Sequence, residues 1–196
     1  MQWLRIIFLL IYSTLATAQT NLQGQSQYRL LEFKDGLPNP VVAAIAQDHS
    51  GYLWVGTKDG LARYDGKVFK VFRHIQGDAQ SLPSNFVQSI HIDAQDRIWL
   101  GIEGFGLYRF NRDNASFTAV PLSDSPVDIW GMSSDKSGSL WLGTFGQGLF
   151  RLKPDGSVQH MMPTPGKLGL PDENVLSLAF DAQGFLWVAT SSGIVK

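Results

Sequence analysis

The 196-residue chain carries 16 lysines and arginines against 17 aspartates and glutamates, a balance that leaves no broad basic footprint for nucleic acid. It is 44% hydrophobic, enough for a packed core. It has no cysteine, which excludes a disulfide framework, a thiolate zinc site and a cysteine nucleophile.

At the N-terminus, Arg5 precedes the apolar run Ile6–Ala16, and Ala16 and Ala18 supply small residues before Gln19. That is the form of a secretory signal peptide over residues 1–18. The run is shorter than the ~20 apolar residues of a spanning helix, and an uncleaved anchor is the rival reading. The remainder, 19–196, is expected to be exported, periplasmic and soluble. Residues 28–33 then read as a lone strand.

From there one phrase recurs. "DHSGYLWVGT" starts at Asp48, "DAQDRIWLGI" at Asp93, "DKSGSLWLGT" at Asp135 and "DAQGFLWVAT" at Asp181. The phrase tryptophans, Trp54, Trp99, Trp141 and Trp187, are 45, 42 and 46 residues apart, and each stands six after its aspartate. Leu-Pro lies eleven before the aspartate in three copies (Leu37, Leu82, Leu170), whereas the third has Asp124-Ser125-Pro126. Fixed spacing inside the phrase with variable spacing between phrases describes a rigid motif joined by loops.

Four strands fit each unit. Ahead of each aspartate, Ile45, Ile90, Met132 and Leu178 alternate with the small Ala44, Ser89, Gly131 and Ser177, the contrast of a strand. The tryptophan run is short and rich in β-formers, and the Asp-x-x-Gly between the two strands is a turn. In the second copy Asp96 takes the glycine's place. A third strand ("LARYDG", "LYRFNRD", "LFRLKPDG") and a weaker fourth ("KVFKVFRH", "ASFTAVPL") follow. Four antiparallel strands in 42–46 residues make a β-propeller blade. The fold class is therefore all-β, with blades at about 36–74, 81–120, 122–162 and 169–196. The last breaks off in its third strand, so three and a half blades are expected, an incomplete open propeller with exposed edges. Residues 28–33 would be a fourth-strand clasp.

The spacing separates this phrase from other propeller motifs. Tryptophan is followed by Val or Leu rather than Asp, and the glycine stands three after the aspartate and three before the tryptophan. The pattern resembles the two-component regulator propeller repeat, "GLP-s-n-x-V-x-x-I-x-x-D-x-x-G-x-L-W-V-G-T-x-x-G-L-x-R-Y". Gly36–Tyr64 follows it nearly throughout, Ser81–Phe110 and Gly169–Ile194 follow it well, and the third copy follows it from Ile129. The resemblance implies the exported sensor region of a bacterial signalling receptor. In that family about seven blades, an Ig-like domain and one membrane helix precede a histidine kinase or diguanylate cyclase. Contact with the membrane would come only through those downstream parts, and a homodimer is implied for the full receptor.

No catalytic constellation stands out. His49, His74, His91 and His160 fall at unrelated repeat positions. Asp48, Asp93, Asp135 and Asp181 lack the alternating carboxylates of a calcium loop and read as turn residues. No metal and no cofactor is expected. The loops after the second strand differ between blades, and two of them hold an aromatic among glycines: Glu103-Gly104-Phe105-Gly106 and Phe145-Gly146-Gln147-Gly148. Glu103, Phe105, Phe145 and Gln147 are candidate ligand residues, since an aromatic beside amide and carboxylate groups can stack on a sugar ring. Alternatively the two phenylalanines cap the gaps between blades. Trp130, on the first strand of the third unit, is either core or a channel-lining aromatic.

These features support a non-catalytic ligand-sensing propeller whose partner is a small molecule or glycan. A polysaccharide lyase or glycosidase would need paired carboxylates, for which Glu103 and Asp59 are the only candidates. A ligand-free assembly module is the third reading.

Overall fold

The computed structural model describes residues 28–164 and 169–196. The expected signal peptide over residues 1–18 lies outside them. Among the described residues, the body from Leu31 to Lys196 is all-β apart from one short 3-10 turn. Blade one holds β1 (Val42–Gln47), β2 (Leu53–Thr57), β3 (Gly60–Tyr64) and β4 (Phe69–Phe72). Blade two holds β5 (Val87–Ile92), β6 (Ile98–Ile102), β7 (Gly106–Asn111) and β8 (Ser116–Val120). Blade three holds β9 (Ile129–Ser134), β10 (Leu140–Thr144), β11 (Leu149–Leu152) and β12 (Val158–Met161). Blade four holds β13 (Val175–Phe180), β14 (Leu186–Thr190) and β15 (Gly193–Val195). Each is a separate antiparallel meander, three of four strands and one of three. The inner strands pack in the order β1, β5, β9, β13, which is the arrangement of propeller blades.

One expectation is corrected. Residues 28–33 form no strand. Phe33–Asp35 is instead the 3-10 turn, and Gly36 ends it at φ 99°. The Asp35 carboxylate accepts from the Glu32 amide (3.0 Å) and Gly36 donates to the Phe33 carbonyl (3.0 Å). Local side-chain bonding of this kind competes with strand pairing, and glycine supplies the left-handed residue that closes the turn.

Every inner strand carries a bulge at its second residue. Val42 faces Thr57 while Ala44 faces Gly56, and the shift recurs at Val87/Ser89, opposite Gly143/Thr144, and at Val175/Ser177. One extra residue reverses the pleat. Val87 and Ile90, three apart, thereby share the face that also holds Ile98, Leu100 and Ile102. That face meets Trp54, Leu61 and Phe72 of blade one in a single core. Trp99 and Leu107 meet Ile129, Leu142 and Phe150 in the same way. Trp141 and Leu149 meet Val175, Leu178 and Val188.

Close approach at these joints requires glycine on the second strand. A Cβ at Gly56 would lie 2.7 Å from the Val87 carbonyl, one at Gly101 2.8 Å from that of Ile129, and one at Gly143 3.0 Å from that of Val175. Blade four has Ala189 at this position.

Candidate functional site

The constant interval of six between aspartate and tryptophan has a direct cause. Each indole Nε1–H donates to the Oδ2 of its aspartate, at 2.8 Å (Trp54–Asp48), 2.8 Å (Trp99–Asp93), 3.0 Å (Trp141–Asp135) and 3.0 Å (Trp187–Asp181). The Oδ1 atoms accept backbone amides of the turn, as from Ser50 and Tyr52 on Asp48. A cation completes each Oδ2: Arg112 for Asp48, Arg97 for Asp93, Arg151 for Asp135 and Lys196 for Asp181. Burial works to raise the Asp48 carboxyl, but the Trp54 indole, Arg112 and the turn amides outweigh it and hold it below the usual carboxylate range. Asp93 and Asp135 are lowered against burial in the same way. On Asp181 the Trp187 indole is the leading cause of the lowering. These carboxylates are occupied by the fold, and among the described residues no cluster of acidic and histidine side chains could hold a metal ion.

Arg112 also bonds Asp96, the residue standing where the other turns have glycine. Asp96 sits at φ 61°, and its Oδ1 accepts the His49 amide of blade one at 3.0 Å. The carboxylate thus gains bonds across the joint that a glycine could not make, which offsets the cost of left-handed backbone in a residue with a Cβ.

Of the candidate ligand residues, the structure brings two together. Trp130 is the extra residue of the β9 bulge, and a bulge re-aims its side chain. The indole is 43% exposed and stacks on Phe145, itself 51% exposed, with ring centroids 5.2 Å apart and planes 21° from parallel. Offset stacking of this kind gives a rigid aromatic surface. Trp130 is therefore not core but an exposed ring on the inner strand of its blade. Gln147 lies two residues on in the same loop, half-buried, with its carbonyl accepting His160 Nε2 at 2.7 Å. Glu103 is exposed and holds its own loop through its amide, which donates to the Phe86 carbonyl at 3.1 Å. Phe105 makes no ring contact with the Trp130–Phe145 pair. It lines a separate hollow of about 210 Å³ with Leu122, Pro126 and Val127.

Asp128 was not apparent from the sequence as a site residue, and it ties the two aromatic loops together. Its Oδ1 accepts the Gly104 amide at 2.7 Å, and its carbonyl accepts the Phe145 amide at 3.0 Å. The carbonyl bond recurs in every blade, at Val41, Phe86 and Asn174. The side-chain bond belongs to the Asp128 joint, where the Gly60 and Gly148 amides of the other joints use the backbone carbonyls of Asn85 and Glu173 instead. Asp59, the other carboxylate weighed for catalysis, is taken up by Arg73 (3.1 Å) and the Asn85 amide group (3.1 Å).

Residues 36–59, 81–104 and 169–192 match the two component regulator propeller family. Over 77 residues, 39% of this chain, the sequence is 34% identical to histidine kinase P4 of Formosa agariphila, of which the match spans 6%. Among solved structures, a chain described as the extracellular domain of a hybrid two component system from B. thetaiotaomicron superposes with a TM-score of 0.73 at 24% identity, covering 86% of this chain and 25% of that one. Virginiamycin B lyase from Staphylococcus aureus shares the fold at 17% identity and a TM-score of 0.60, over 81% of this chain and 56% of the lyase. The chain thus spans about a quarter of the two component structure and a small fraction of the kinase.

Proposed function

The chain carries two component regulator propeller repeats, and from that premise we propose that it is a non-catalytic, extracytoplasmic ligand-sensing segment of a signalling receptor. The observation that carries this reading is the exposed Trp130–Phe145 stack. Two rings held by a bulge and by the Asp128 bridge form a preorganised apolar plate, which binds with little ordering cost. Flat aromatic surfaces with nearby amide groups suit a sugar ring, so the ligand is a small molecule or glycan. Binding would act by favouring one of two pre-existing arrangements of the receptor. The extracellular origin of the two component structure supports export. Of the two carboxylates weighed for catalysis, Asp59 is engaged by Arg73 and Asn85, which supports the non-catalytic reading.

The test is a thermal-shift screen with cello-, manno- and xylo-oligosaccharides, with product analysis of each mixture. Stabilisation of the wild type, lost in Trp130→Ala and in Phe145→Ala and without ligand breakdown, is expected. Breakdown would indicate an enzyme, and no shift with any sugar would favour an assembly module.

A further inference from the structure

Blades two and three, both complete four-stranded sheets, border a hollow of about 250 Å³. It lies by the β9–β10 and β11–β12 turns, whereas Phe145 of the aromatic plate follows the far end of β10. Buried Trp99, Leu140 and Leu152 give it apolar walls. Arg97, Arg109 and Lys153 line it as well, and no carboxylate does.

Comparison of the blades shows why charge is spare here. The third strand of blades one to three sets an arginine opposite the phrase tryptophan: Arg63 opposite Trp54, Arg109 opposite Trp99 and Arg151 opposite Trp141. Arg151 pairs with Asp135 at 2.9 Å. Arg63 lies over the Tyr52 ring, 4.4 Å from its centroid. In blade two the position four after the aspartate is Arg97, where the other copies have Tyr52, Ser139 and Phe185. Arg97 pairs with Asp93 at 2.6 Å and stands over the Trp99 ring at 5.3 Å. It thereby takes both partners that a third-strand arginine would use. Among the described residues Arg109 makes no side-chain hydrogen bond, ion pair or ring contact, and neither does the half-buried Lys153. The acids around them are placed elsewhere. Asp96 pairs with Arg112, Asp113 lines the adjoining hollow, and Asp155 accepts the hydroxyl and the amide of Ser157.

We propose that this hollow is a binding site for a small oxyanion, a sulfate, phosphate or carboxylate group, held between Arg109 and Lys153. The Arg109 guanidinium offers a planar fork that matches two oxygens of such a group, and Lys153 adds a point charge. The apolar walls lower the local dielectric and strengthen both attractions. The same group can arrive as a free inorganic anion or on a small organic ligand whose apolar body rests on Trp99 and Leu140.

The test is a titration of the full chain with sodium sulfate, followed by amide and arginine side-chain NMR signals. Sodium chloride keeps the ionic strength constant, because salt screens exposed charges. The amides of Gly138, Lys153 and Gly156 and the Arg109 Nε–H should shift saturably. Arg109→Gln and Lys153→Gln, each removing a group without a partner, should each weaken binding at least fivefold while the remaining signals stay in place. Arg63→Gln, the matching change in blade one, should leave binding unaltered. Phenyl sulfate is the second probe. Binding several-fold tighter than sulfate supports the site and assigns it to an organic ligand, and equal binding supports the site and assigns it to a free anion. Shifts that rise linearly without saturation, or that are the same in wild type, Arg109→Gln and Lys153→Gln, would overturn the proposal.

Discussion

At the scale of single residues, the aspartate–tryptophan bond is the unit on which each blade is built. One carboxylate organises a turn through Oδ1 and fixes an indole through Oδ2, and the indole fills the space against the next blade. Trp54→Phe keeps most of the ring volume but removes the donor. It should cost about 1–2 kcal/mol in urea unfolding, and the exposed Trp187→Phe should cost less. The carboxylates also set the response to acid. Their folded pKa values lie below the unfolded value of about 3.9, so their stabilisation is complete above that pH and is lost as pH falls through the folded values. The melting temperature should therefore hold level down to about pH 4 and drop below it, and Asp135→Asn should flatten the drop when followed by circular dichroism. Equal spacing of Asp and Trp was legible in the sequence. The hydrogen bond behind it was not, since six residues across a turn do not by themselves place two side chains together.

At the scale of strands and turns, pairing and packing are both read from short-range chemistry. Alternating large and small residues before each aspartate identify a strand. The β-branched residue six before the aspartate (Val42, Val87, Ile129, Val175) and the large apolar one three before it (Ile45, Ile90, Met132, Leu178) are an odd interval apart, and strict alternation would put them on opposite faces. The bulge reconciles them, and the odd interval repeated in four copies was its sequence signal. It also decides the fate of Trp130, which a regular strand would have left ambiguous. The clasp strand was misread because "YRLLEF" has strand-like content, whereas the Asp35 carboxylate and Gly36 close a turn locally. Joints between blades depend on small residues. Gly101→Ala would drive a methyl group to 2.8 Å from the Ile129 carbonyl, and overpacking of this kind costs about 1–3 kcal/mol. Arg112→Ala removes the link from blade two to Asp48 of blade one, together with the Arg112–Asp96 pair inside blade two. It should raise amide exchange in the 48–52 turn ahead of the rest of blade one.

For the whole molecule, repetition builds the scaffold, and departures from repetition mark where one blade differs from the next. Four copies of one phrase build the array, and the positions where a copy differs are informative: Asp96 in a turn, Asp128 beside two loops and Trp130 at a bulge. The repeat was readable from the sequence because it recurs. The aromatic plate was not, since Trp130 and Phe145 are fifteen residues apart and meet only through the bulge and the β10–β11 turn. The most direct test of the sensing role is an oligosaccharide titration followed by indole fluorescence and by chromatography of the sugar. Saturable change in emission with the sugar recovered intact, abolished in Trp130→Phe and Phe145→Ala while the fold persists, is the predicted result. Emission unchanged by every sugar, or a sugar cleaved during the titration, would contradict it.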